Sequence, residues 1–66
     1  MKRNYQAVET VHSDSEGKTF TYRQSYATLD TIKEFAAGSA KTWSDAGYTY
    51  SLKAIYKPTK EVVWEF

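Results

Sequence analysis

The chain contains no cysteine, a single proline and only three glycines among its 66 residues. Without cysteine there is no disulfide, no thiolate nucleophile and no cysteine-ligated zinc site, which are the usual staples of small secreted scaffolds. This absence favours a reducing cytoplasm as the compartment. The glycines stand alone at Gly17, Gly38 and Gly47, so no glycine-rich phosphate-binding loop is present.

Long apolar runs and a dominant charge sign are also missing. No stretch approaches the roughly 18 apolar residues of a membrane span, and the polar residues after Lys2 and Arg3 do not form the apolar core of a signal peptide. We therefore expect a soluble protein without a membrane partner. Nine Lys and Arg against eight Asp and Glu give a net charge of +1, which argues against a strongly basic nucleic-acid coat and against an acidic mimic of DNA.

Residues that could carry chemistry are scarce. His12 is the only histidine, and Glu9, Asp14 and Glu16 lie close to it in sequence, so a metal site or an acid/base pair can be imagined there. A zinc site needs three or four convergent ligands, and a nucleophilic triad needs a buried carboxylate to orient the ring. We interpret His12 as a solvated residue beside a polar turn. The sequence predicts no catalytic residue, no metal and no cofactor, and hence a protein that is not an enzyme.

Aromatic residues are abundant, with eleven in the chain, and many recur at two-residue steps. This spacing is typical of strands that bury one face. The alternating positions are Phe20, Tyr22 and Tyr26, with the polar Gln24 at the step between the two tyrosines, then Tyr48, Tyr50, Leu52, Ala54 and Tyr56, and finally Val62, Trp64 and Phe66.

Between these runs the spacing becomes helical. The apolar positions Leu29, Ile32, Ala36, Ala40 and Trp43 fall on one stripe of a helix. Thr28 can cap the first free N–H groups, and Asp30 suits the first turn. The predicted helix spans 28–44, with Lys41 in its last turn and Gly47 just beyond its end.

The predicted order is strand, strand, helix, strand, strand within a single domain of residues 1–66. The four predicted strands are 5–12, 18–26, 48–57 and 61–66. The first has the weakest pattern, because Glu9 falls among the inward residues and a slip would turn Val8 inward instead. Two hairpins joined by one helical crossover predict an α+β fold, a four-stranded antiparallel sheet in the order 2-1-3-4 with one helix on one face.

A helix about 10 Å wide cannot cover four strands that span roughly 19 Å, so some tyrosines should be partly exposed at its flanks. Basic side chains should share the opposite, open face. We predict partner contacts at Arg23, Lys53, Lys57, Tyr56 and Tyr50. These residues suit a protein interface, and three alternatives stay open: weak nucleic-acid binding, self-association as a homodimer, and a solvated face.

In size and order of elements the chain resembles the small phage-encoded anti-CRISPR inhibitors of type I surveillance complexes. The resemblance is carried by the N-terminal hairpin, by Ala27-Thr28-Leu29 at the helix entry and by the C-terminal hairpin with Val62-Val63-Trp64. It implies a non-enzymatic inhibitor that occludes a large protein or ribonucleoprotein complex in the cytoplasm of a bacterial host. The net charge of +1 departs from the acidic members that mimic DNA.

Overall fold

A computed structural model describes residues 2–66. Its elements are β1 (Tyr5–Ser13), β2 (Lys18–Tyr26), α1 (Leu29–Asp45), β3 (Tyr48–Tyr56) and β4 (Glu61–Glu65). The strands form one antiparallel sheet in the order β2-β1-β3-β4, which confirms the predicted α+β fold and its strand order. The helix is neither long nor apolar enough to cross a membrane.

The central strand β1 has the orientation that its weak pattern predicted. Ala7 and Val11 are fully buried on the helix side of the sheet, whereas Val8 is only partly buried on the other side. Glu9 follows the alternation and lies on the helix side. The slip that would turn Val8 inward does not occur, because it would expose Val11 and Ala7.

Both hairpins close with the same four-residue turn. The N–H of Gly17 donates to the carbonyl of Ser13, and the N–H of Lys60 donates to the carbonyl of Tyr56, both over 2.8 Å. The last turn residue adopts a positive φ in each case, 67° at Gly17 and 61° at Lys60. Glycine accepts this conformation freely, whereas the lysine side chain makes it unfavourable.

Helix α1 begins where its sequence predicts and ends one residue beyond the predicted end. The Thr28 hydroxyl caps it by accepting from the N–H of Thr31 over 3.3 Å, and Gly47 follows its end with a φ of 89°. The helix runs to Asp45, so Lys41 precedes the last turn, which holds no basic residue. The prediction that Lys41 lies in the last turn is wrong.

The core is small and depends on close approach of the helix to the sheet. Alanines lie on both sides of the contact, and the buried cluster consists of Ala7, Ile32, Ala36, Leu52 and Ala54. Helix α1 packs mainly over β3, which leaves β2 largely exposed. Trp43 lies on the apolar stripe of α1 and Trp64 in the inward pattern of β4, yet both are only partly buried.

A β-bulge changes which side chains of β4 point toward the helix side of the sheet. Trp64 pairs with Ala54, but Val62 pairs with Ile55, so one extra residue separates the two pairs. The alternating pattern predicted Val62 on the helix side and Glu61 on the open side, and both assignments are wrong. Because paired residues share a face, the bulge places Val62 beside Ile55 on the open side and Glu61 beside Tyr56 on the helix side.

Candidate binding face

The open face is the side of the sheet opposite α1, and its centre carries two basic residues. Val8 of β1 is paired with Arg23 on β2 and with Lys53 on β3. Directly paired residues of an antiparallel sheet lie about 5 Å apart, so the two cationic side chains flank Val8 from either side. The structure thus brings together two of the predicted site residues. Lys53 is also paired with Glu65 on β4.

An apolar strip runs from this centre toward the β4 edge. Ile55 lies diagonally across from Val8 on the same face of the sheet, and the bulge adds Val62 directly beside Ile55. Val62 exposes 47% of its surface, and Val8 and Ile55 are partly exposed. We call Val8, Ile55 and Val62 the apolar strip.

The half of the open face nearer the first hairpin turn is rich in hydroxyl groups. Thr10 is paired with Thr21 and with Ser51, and His12 is paired with Thr19 and with Thr49. These short polar side chains make this half hydrophilic. The open face therefore has a hydroxyl-rich half near the first hairpin turn and an apolar and basic half away from that turn.

His12 forms a short hydrogen-bonded chain within that polar half. Its Nδ1 lies 2.8 Å from Oγ1 of Thr19, and its Nε2 lies 3.2 Å from Oδ1 of Asp14. The Asp14 side chain is 78% exposed, so water solvates the carboxylate and it cannot polarise the ring as a buried triad aspartate does. Glu9, which is close to His12 in the sequence, lies on the opposite face of the sheet. These two contacts link His12 to β2 and to the hairpin turn, and so stabilise the turn.

The other predicted contact residues lie apart from this centre. Lys57 follows β3, where its N–H donates to the carbonyl of Asn4 over 2.7 Å. Tyr56 lies on the helix side, with its ring 5.3 Å from that of Tyr5. The structure therefore places Arg23 and Lys53 together and Tyr56 and Tyr50 on the other face; their assignment as partner contacts stays a prediction.

Tyr50 has an internal partner. Its hydroxyl donates to Oε2 of Glu9 over 2.6 Å, a short charge-assisted hydrogen bond. Burial, this hydrogen bond and the Glu9 charge together raise the pKa of Tyr50 well above its ordinary value. Burial and the Glu9 charge also raise the pKa of Tyr26. The arrangement satisfies an inward carboxylate and keeps the phenol neutral.

Sequence reasoning missed the apolar strip as a unit. The pattern of β1 already left Val8 on the outer side, and Ile55 is out of phase with the inward residues of β3, so two of its three members had a signal. Val62 had no signal in the sequence, because the alternation of β4 does not reveal the bulge that turns this side chain outward.

No family model, no curated protein and no solved structure matches this chain.

Proposed function

We propose that this protein is a non-enzymatic binding protein that acts by covering a surface of a larger protein or ribonucleoprotein complex with its open face. One observation carries the proposal: the apolar strip lies directly beside Arg23 and Lys53 on an uncovered sheet surface. An apolar centre with arginine beside it is the composition of protein interfaces. The cationic pair favours a partner surface that is acidic or carries phosphate.

The specific form that we propose is a phage-encoded inhibitor of a bacterial type I CRISPR surveillance complex. Its support is the resemblance in size and element order described above. Inhibition by occlusion requires only area and complementarity, about 800 Å² per partner for a standard interface. One face of a domain of this size can supply that area.

The test is co-expression with type I surveillance complexes, followed by affinity purification and a phage plaquing assay. Arg23→Glu and Ile55→Lys each place a charge on the open face where it opposes the proposed contact. Lys41→Glu makes the same charge reversal as Arg23→Glu on an exposed position of α1, and is the matched control. Arg23 is a cleaner probe than Tyr56, whose ring packs against Tyr5.

We expect the unaltered protein and Lys41→Glu to co-purify with a complex and restore plaquing, and both open-face variants to lose both properties without a change in melting temperature. Failure to bind any such complex would contradict the specific form. Binding that survives both open-face substitutions would contradict the assignment of the face.

Nucleic acid is the second candidate partner, favoured by the placement of Arg23 and Lys53 on either side of Val8. With a net charge of +1, we expect oligonucleotide binding to be weak and to disappear near physiological salt, since phosphate contacts release counterions. Fluorescence polarisation over a salt series measures this. Tight, salt-resistant binding that Arg23→Ala and Lys53→Ala both weaken would make nucleic acid the leading partner.

A further inference from the structure

The two edges of the sheet differ in how they are protected. The β4 edge is short, interrupted by a bulge and bordered by Pro58 and two glutamates, Glu61 and Glu65. Proline, bulges and charge are the usual means by which proteins prevent pairing at an edge. The β2 edge has nine residues, no proline and no bulge. Its exposed backbone N–H and C=O groups can pair with another strand.

The hydrogen bonds define which residues of β2 offer free backbone groups. In antiparallel pairs, hydrogen-bonded and non-bonded residue pairs alternate. The bond from Lys57 to Asn4 lies in the register of β1 with β3, so even-numbered residues of β1 bond to β3 and odd-numbered ones bond to β2. In β2 the even-numbered residues are therefore used internally. Thr19, Thr21, Arg23 and Ser25 direct their N–H and C=O groups outward.

We propose that the β2 edge pairs with β2 of a second copy of this chain, antiparallel and about a two-fold axis at Thr21. This register joins outward residues to outward residues: Thr21 faces itself, and Thr19 faces Arg23 of the second copy. It converts two four-stranded sheets into one sheet of eight strands. An interface of this kind is self-complementary, as two-fold symmetry requires.

The side chains favour a second copy as the occupant. Phe20 and Tyr22, which are 43% and 48% exposed, lie on the helix side, and the proposed register places each opposite the other ring in the second copy. Aromatic pairs at directly opposed positions stabilise antiparallel sheets. Two such pairs form, one on each side of the axis. The Tyr22 ring is already oriented by stacking on Trp43, with ring centres 6.2 Å apart.

Charge does not oppose the pairing. Arg23 faces Thr19 of the second copy and Lys18 faces Gln24, so no like charges are directly opposed, and the net charge of +1 adds little repulsion. Helix α1 packs mainly over β3, on the far side of β1, and leaves the edge accessible. The interface is a single pair of strands, so we expect a weak dimer whose population rises with protein concentration. It leaves the open face free, and its test is independent of the proposed function.

The experiment is sedimentation velocity of the full chain from micromolar to millimolar concentration, with Thr21→Glu and Thr21→Lys measured alone and mixed. Because Thr21 faces itself, each variant alone sets like charges against each other, and we expect dimerisation to weaken roughly fivefold or more. The equimolar mixture should recover a dimer. Amides of Thr19, Thr21 and Arg23 should exchange faster than those of Phe20 and Tyr22 in the monomer, and slow as the concentration rises.

Three results would overturn the proposal. The first is a protein that stays monomeric at every concentration. The second is a dimer that neither Thr21 variant weakens, since it must use another surface. The third is a dimer that Thr21→Glu strengthens, because that result requires Arg23 rather than Thr21 to be the opposing residue. Circular dichroism melts of both variants, whose position is exposed, confirm that the monomer remains folded.

Discussion

At the scale of single residues, Glu9 shows how an apparent defect in a sequence pattern is resolved. An inward carboxylate in a central strand is costly unless a hydrogen bond compensates it. The compensation is the Tyr50 hydroxyl, at 2.6 Å and 41 positions away in sequence. The pair stabilises β1 in its register, because a slip by one residue would separate the two groups.

Tyr50→Phe tests this pair. It leaves the carboxylate without its donor, and we expect the free energy of unfolding to fall by about 1–3 kcal/mol at neutral pH. The control is Tyr48→Phe, which removes a hydroxyl from the same face of β3 beside Ser13 rather than Glu9. Urea denaturation measures both variants. Equal effects would show that the bond to Glu9 is not what matters.

The same pair makes a prediction about pH. The raised pKa of Tyr50 means that the folded state holds this proton more tightly than the unfolded state, whose ordinary pKa is 10.0. Its contribution to stability is therefore complete below that pH and is lost as pH rises through the folded pKa. We expect alkaline loss of stability to begin near pH 10 and to be shallower in Tyr50→Phe; an unchanged slope would contradict this.

Lys60 and Gly17 occupy the same position of two similar turns. Lys60→Gly should raise the free energy of unfolding by about 0.5–1 kcal/mol, because glycine accepts the positive φ that the lysine side chain makes unfavourable. Gly17→Ala should lower it by about 1 kcal/mol for the converse reason, since a Cβ there meets open space and introduces no clash. Thermal melts of both variants check the signs. Shifts of the same sign would contradict the conformational explanation.

At the scale of elements, the position of α1 depends on one small residue. Ala36 is fully buried against the sheet cluster that includes Ala7 and Ala54, whereas its neighbour Ala37 is exposed. We expect Ala36→Leu to cost about 1–3 kcal/mol through overpacking. Ala37→Leu adds the same volume toward solvent and should change stability by less than about 0.5 kcal/mol. Equal losses in chemical denaturation would mean that the helix does not approach the sheet at Ala36.

At the scale of the whole molecule, the limiting quantity is the size of the core. The largest fully buried side chains are Ile32, Leu52 and Val11, and both tryptophans are partly exposed. Stability should therefore depend on a few aliphatic contacts more than on the aromatic rings.

Substitutions at Ile32 test how strongly stability depends on these aliphatic contacts. Ile32→Ala should cost about 2–5 kcal/mol, which is much of the stability that a domain of this size can have, whereas Ile32→Val should cost about 0.5–1.5 kcal/mol. We expect Ile32→Ala to be largely unfolded at body temperature by circular dichroism and Ile32→Val to retain a cooperative melt. A well-folded Ile32→Ala would place the main stabilisation elsewhere.

The sequence by itself determined the elements and their order. The bounds of β2, the start of α1, the Thr28 cap and the strand order follow from local rules: alternation, helical spacing, capping and the handedness of connections. It also assigned Arg23 and Lys53 to the same face, since alternation from a known strand start fixes the side to which each side chain points.

Only the tertiary structure decided the rest. The bulge that turns Val62 outward, the Tyr50 partner of Glu9, the location of α1 over β3 and the consequent exposure of β2 all depend on residues that are distant in sequence. For each of these features the local sequence pattern permits more than one packing. Pairing between strands and the volume of the core determine which packing forms. The candidate face and the free edge both arise from those choices, which is why the pattern predicted the fold more completely than the surfaces that we propose as functional.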